Sequence, residues 1–164
     1  VSNQRPYHGI EKIISGGQTG VDQAALDVAI ELGIPHGGWC PRGRLSEAGP
    51  IDAKYQLTEL SSPDYAARTE QNVIDSDGTL IFYIARLQGG TALTNRLAKE
   101  HGKPVQRVRL DRSWNELHLI DWIHEHHIRV LNIAGPRASS QPKLYEQTVQ
   151  ALHRLFKYSG TFLA

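Results

Sequence analysis

The run Gly78–Ala85 is almost wholly apolar or β-favouring, with none of the polar alternation of a strand that has one wet face. Such a strand is covered on both sides, which calls for a parallel sheet sandwiched between helices. The rest of the chain supplies the partners. Ile10–Ile14 and Ile128–Ala134 read as further strands, and Pro104–Leu110 alternates valine with polar residues, as a strand nearer the sheet edge does. A short strand is expected around Trp39.

Helical spacing recurs between these runs. Val21–Gly33 has Ala25, Leu26, Ala29, Ile30 and Leu32 on one face, with Gly33 as a stop and Pro35 beyond it. Helices are also predicted over Asp64–Asp75 (inner face Ala66, Ala67, Val73), Thr91–Gly102, Ser113–His127 (Leu117, Ile120, Trp122, Ile123) and Pro142–Lys157. Alternating strands and helices predict a doubly wound, Rossmann-like α/β fold with a mostly parallel sheet. At 164 residues, without repeats or a linker, the chain is expected to form one domain, with Val1–Gly9 flexible. Only His36–Ser62 breaks the pattern; it is dense in turn formers and reads as the short strand around Trp39 followed by a long irregular loop, of the kind that is usually functional or disordered.

Three predicted strand-to-helix junctions are rich in glycine or small hydroxyls: Ser15–Gly20, Gly89-Gly90-Thr91 and Gly135–Ser139. In an open parallel sheet such loops gather beyond the carboxyl ends of the strands, where ligands bind. Glycines let backbone N–H groups approach a phosphate, a helix N-terminus adds partial positive charge, and Thr19, Thr91 and Arg137 can donate further hydrogen bonds. A shared site for a phosphate-bearing small molecule follows. The Ser15–Gly20 loop has no Gly-Lys-Ser/Thr and does not match G-x-G-x-x-G, so a Walker-type NTPase or a dinucleotide enzyme is disfavoured. A net charge of +1, from 18 basic and 17 acidic residues, argues against a nucleic-acid surface. No stretch is apolar enough to span a membrane and no secretory leader is seen, so a cytoplasmic protein is expected.

Several blocks together resemble the molybdenum carrier proteins. They are Ser15–Asp22, Gly38–Arg44, Arg68-Thr69 with Asn72-Val73, Ser76–Thr79, Gly89–Thr91 and Asn132–Arg137. That family looks like a circularly permuted branch of the superfamily containing the LOG phosphoribohydrolases and a DNA-processing protein. The resemblance implies a Rossmann-like homo-oligomer (dimer or tetramer) that binds molybdenum cofactor, a molybdopterin phosphate holding molybdate, and protects and delivers it. Molybdoenzymes or cofactor-synthesis proteins are the partners it implies. The residues it suggests for cofactor binding are Gly16, Gly17, Gln18, Thr19, Gly20, Asp22, Arg42, Arg44, Arg68, Asn72, Gly89, Gly90, Thr91, Asn132, Gly135 and Arg137.

The LOG enzymes carry Pro-Gly-Gly-x-Gly-Thr-x-x-Glu, and its glutamate helps cleave an N-glycosidic bond. Gln88–Asn95 here lacks both the later glycine and the glutamate, whereas Arg68 resembles the other functional residue of those enzymes. Binding without catalysis is therefore expected, and no catalytic or metal-binding residue is assigned. A nucleotide sensor or a nucleoside-monophosphate phosphoribohydrolase is the alternative, with Asp22 or Asp77 substituting for the missing acid.

Other candidates have plainer readings. Asp22 in a first helical turn is favoured by the helix dipole, or holds a metal or a ligand ring. Arg42 and Arg44 either close over a second anionic group or belong to a solvated loop. The lone Cys40 reads as a small buried hydrophobe, and His118, His124, His126 and His127 as a solvated helix face. Trp114 and Trp122 read as core or subunit contacts.

Overall fold

The computed structural model describes residues 5–159. A 3-10 turn, Pro6–Gly9, precedes β1 (Lys12–Ile14), α1 (Val21–Leu32), β2 (His36–Gly37) and four two-residue strands: β3 (Trp39–Cys40), β4 (Leu45–Ser46), β5 (Gly49–Pro50) and β6 (Thr58–Glu59). Then come α2 (Tyr65–Asp75), β7 (Gly78–Tyr83), α3 (Gly89–Glu100), β8 (Val105–Arg109), α4 (Glu116–Glu125), β9 (Val130–Ala134) and α5 (Leu144–Lys157).

Five strands form one parallel sheet in the order β2-β1-β9-β7-β8, as the Rossmann-like reading requires. β7 lies inside the sheet and β8 at its edge. The last strand, β9, is inserted between β1 and β7, with Leu131 opposite Ile13 and Ile133 opposite Leu80. Ile13, Leu80, Phe82, Leu131 and Ile133 point one way and pack with Ala25 and Val28 of α1, Leu119 and Ile123 of α4, and Leu152 and Leu155 of α5. α2 and α3 pack together on the other side over Val73, Leu97 and Ala98.

Because side chains alternate along a strand, Thr79 and Asn132 fall on the α2 side, where both are buried and Asn132 Nδ2 donates to Thr79 Oγ1 at 3.1 Å. That second layer is polar. The buried residues of α2 are Arg68, Asn72 and Val73, and Ala66, expected inside, is exposed. Asp64 caps the helix by accepting from the Ala66 N–H at 3.0 Å.

Local geometry moves several expected boundaries. The sheet's edge strand is His36–Gly37, while Trp39 pairs with Thr58 in a separate ribbon. Gly38, with φ at 123°, lies between them. The strand expected around Trp39 is present as β3, and the stretch after it carries β6 and a β4–β5 hairpin where an irregular loop was expected. α4 begins at Glu116, after Asn115 caps it through the Leu117 N–H at 2.8 Å, and α5 begins at Leu144. Ile30 and Leu117, placed on inner faces by their spacing, are exposed.

The expectation of a flexible Val1–Gly9 falls partly outside the described residues. Tyr7 donates to the Leu32 carbonyl at 2.9 Å and stacks edge-on to Phe156, so the turn is tied to α1 and α5. Among the described residues no helix is long and apolar enough to cross a membrane.

Leu131 is fully buried on the middle strand, so shortening it leaves a cavity in the core. Leu131→Ala is expected to destabilise the fold by about 2–5 kcal/mol. Urea unfolding at an unchanged slope is the measurement, and a loss below about 1 kcal/mol would contradict the packing described.

Candidate functional site

β1, β9 and β7 are neighbours, so the three loops leaving their carboxyl ends meet at one edge of the sheet. They enclose a hollow of about 450 Å³, within the range of small-molecule sites. Gly16, Gln18 and Asp22 come from the first loop and helix, Asn132 to Arg137 from β9 and its loop, and Gly89 to Thr91 from the third. Arg68, Thr69 and Asn72 of α2 contribute a further wall.

Arg68 and Asp22 form its floor. Both are at least nine-tenths buried, and Arg68 Nη1 lies 3.5 Å from Asp22 Oδ2 while donating to the Gly16 carbonyl at 3.0 Å. A Cβ on Gly16 would come within 2.1 Å of that Nη1, so the loop can carry no side chain there. Asp22 also accepts from the Gln18 N–H at 3.2 Å. Burial pushes its carboxyl up to about 6, with Arg68 and the Gln18 amide opposing the rise.

The Ser15–Gly20 loop is largely occupied by its own protein. The Thr19 N–H donates to Gln18 Oε1 at 3.1 Å, the Thr19 hydroxyl donates to Glu47, and the first N–H of α1, on Val21, reaches the Pro136 carbonyl at 3.4 Å. Gly20 has φ at 86° and lies against the Pro136–Ala138 backbone, where a Cβ would sit 2.6 Å from the Pro136 oxygen. Gly17 is covered by Ile51 and Leu57. One donor is left over: Gln18 Nε2 is buried and has no partner among the described residues.

The third loop is open. Gln88 gives no side-chain cap to α3, and a Cβ at Gly89 or Gly90 would meet nothing within 4 Å. The unpaired N–H groups of a helix start therefore border the hollow. Arg86 lines the same end without an ion pair among the described residues. At the other end Arg137, also lining, is 43% exposed and lies 4.0 Å from Glu47.

Of the residues suggested by sequence, Gly16, Gln18, Asp22, Arg68, Asn72, Gly89, Gly90, Thr91, Asn132, Gly135 and Arg137 line the hollow. Gly17, Thr19 and Gly20 stand behind it and shape its wall. Asn72 has both ends of its amide engaged, accepting from the Trp39 N–H at 2.8 Å and donating to the Trp39 carbonyl at 3.0 Å.

Arg42 and Arg44 are not brought to it. Arg42 is exposed elsewhere, and Arg44 donates to the carbonyls of Ile51, Asp52, Tyr55 and Leu57, stitching its own loop. Asp77, proposed as a substitute acid, accepts from the Arg129 and Val130 N–H groups at the opposite end of the sheet. Cys40 is fully buried with Leu26, Ile51 and Tyr55, and burial pushes its thiol up. His118, His124, His126 and His127 are exposed, Trp122 is in the core, and Trp114 stacks under the Arg154 guanidinium.

Thr69, Gln88, Thr94 and Ser139, named in the sequence only within longer blocks, line the hollow, and so do Arg86, Ser140 and Gln141, which were not singled out. Arg86 could have been found by extending the glycine pair back to the end of its strand. Nothing in the linear order points to Glu47.

The raised carboxyl of Asp22 has a definite sign. As pH rises from the ordinary carboxylate value near ~4, the unfolded chain gives up this proton first, and the native state holds it until about 6. The native state binds more protons in that window, so stability falls as pH rises through it. Urea unfolding from pH 4 to 7 is expected to show wild type losing stability relative to Asp22→Asn across the window. Parallel curves would contradict the burial assigned to this carboxyl.

Residues 13–156 match the circularly permutated YpsA SLOG family. The fold is similar to the crystal structure of a "Putative molybdenum carrier protein" from Syntrophus aciditrophicus. That similarity has 51% identity, a TM-score of 0.87, and coverage of 90% of this chain and 95% of that one. No curated protein matches. With the family matched over most of its length, this chain belongs to the circularly permutated YpsA SLOG family.

Proposed function

We propose that the hollow binds molybdenum cofactor through its phosphate and pterin, and that the protein holds and delivers this cargo without chemically changing it. The observation that carries the reading is the composition of the lining: three arginines, the uncapped glycine start of α3, and a single acidic residue already bonded to Arg68. Such a surface favours an anion. Gly89 and Gly90 would take the phosphate on backbone N–H groups, with Arg86 and Arg137 adding charge. The unpartnered Gln18 amide suits an acceptor on the pterin edge. Gln88–Asn95 offers no carboxylate, which supports binding over glycosidic cleavage. The name of the Syntrophus aciditrophicus protein agrees with this reading. With it go a cytoplasmic homo-oligomer, dimer or tetramer, and exchange with molybdoenzymes or cofactor-synthesis proteins.

Asp22 favours a second reading. A buried acid with its carboxyl near 6, beside an arginine and facing a ligand-sized hollow, is placed for proton transfer. A nucleotide sensor or a nucleoside-monophosphate phosphoribohydrolase would use it.

The two readings separate in one experiment. Incubated anaerobically with molybdenum cofactor, the protein is expected to co-elute with pterin and slow its oxidation. Incubated with nucleoside monophosphates, it is expected to release no free base. Base release that is sustained and abolished by Asp22→Asn would reverse the order, and failure to retain pterin would remove the carrier reading.

A further inference from the structure

Glu47, at the turn of the β4–β5 hairpin, ends against two loops far from it in sequence. One carboxylate oxygen accepts from the Thr19 hydroxyl and from the Ser139 N–H at 3.0 Å. The other accepts from the Ser139 hydroxyl and lies 4.0 Å from Arg137 Nη1. Two hydroxyls, a backbone N–H and a guanidinium thus converge on one anion, a donor set equally suited to a phosphate's oxygens. Ser139 and Arg137 also line the hollow, so this anion is held at its rim. Hydrogen bonds from Ser139 and Thr19 hold the Glu47 carboxyl below the usual range, keeping it charged.

The segment that carries Glu47 is lightly fastened. Its hairpin has two residues per strand, and a ribbon that short is not stable alone. Its base is anchored by Arg44 and by the buried Ile51, whose N–H donates to the Arg44 carbonyl at 2.7 Å. At the tip, apart from Glu47 itself, the contacts are the Glu47 N–H to Gln18 Oε1 at 2.9 Å and a local turn closed by Ser46. Gly43 and Gly49 flank the tip, both at positive φ.

We propose that Thr19, Arg137 and Ser139 form an anion subsite, which Glu47 fills as an internal surrogate until an anionic group of the ligand displaces it and frees the hairpin. The proposal rests on the reading of the hollow as an anion-binding site. Glu47 is then a competitor, and the apparent affinity for an anion is reduced by the fraction of molecules in which the latch is closed. Glu47→Gln keeps an acceptor for Ser139 and Thr19 but removes the competing charge. Ser139→Ala removes a donor that the latch and the ligand share.

Titration with inorganic phosphate and with sulfate, on wild type, Glu47→Gln and Ser139→Ala, reads the competition directly. Glu47→Gln is expected to bind on the order of tenfold more tightly than wild type, whereas Ser139→Ala, which weakens latch and ligand alike, is expected to change the affinity less. In wild type, phosphate is expected to speed amide hydrogen exchange at Glu47 and Ala48, a readout that holds even if a variant fails to fold. Binding by wild type that is unchanged or weakened in Glu47→Gln, with no faster exchange at the tip, would overturn the latch and leave the hollow's reading intact. Binding by neither protein would overturn both.

Discussion

The Arg68 guanidinium is the contact on which the site depends. An arginine buried between a helix layer and a sheet is tolerated only when its charge and its donors are met. Here they are met by the Asp22 carboxylate and the Gly16 carbonyl, which belong to the first helix and the first glycine loop. One side chain from α2 therefore ties the second layer to the end of β1. The absence of a side chain at Gly16 makes the approach possible, and the polar pair Thr79–Asn132 continues the same layer on the neighbouring strands. Removing either partner of the pair would leave the other charge buried without compensation.

Inserting β9 between β1 and β7 gives that clamp a hollow to face. Parallel strands end on the same edge, so three loops widely separated in sequence become adjacent walls. The walls differ in state. The loop after β1 satisfies itself internally and leans on Pro136 and Glu47, while the loop after β7 leaves its helix start uncovered. The first is mostly scaffold, with the Gln18 amide and the Glu47-bound Thr19 hydroxyl as its donors, and the second has its helix start open to a ligand.

Much of this was legible in the sequence because it depends on local patterns. Apolar runs such as Gly78–Ala85 marked the strands, and glycine pairs marked the loops that meet at the hollow. What the pattern could not convey is which side chains the tertiary structure consumes. Arg44 reads as a ligand arginine until four carbonyls of its own loop claim its guanidinium. Asp77 reads as a spare acid until it caps the start of β9 from the opposite end of the sheet. Glu47 was invisible because its partners lie 28 and 92 residues away and only folding brings them together. Ala66 misled because α2 buries polar residues, against the usual sense of an amphipathic face.

On the proposed reading, the open start of α3, beside Arg86, receives the anionic group of a ligand. Amide chemical shifts during titration with inorganic phosphate report on this residue by residue. Saturable shifts are expected at Gly89, Gly90 and Thr91, distinct from those at Ser139, Glu47 and Ala48, and are expected to be lost together in Arg86→Ala at the same phosphate concentrations. Saturable shifts centred instead on the second hollow beside β8, around Arg107 and Arg112, with Gly89 and Gly90 unmoved, would contradict it.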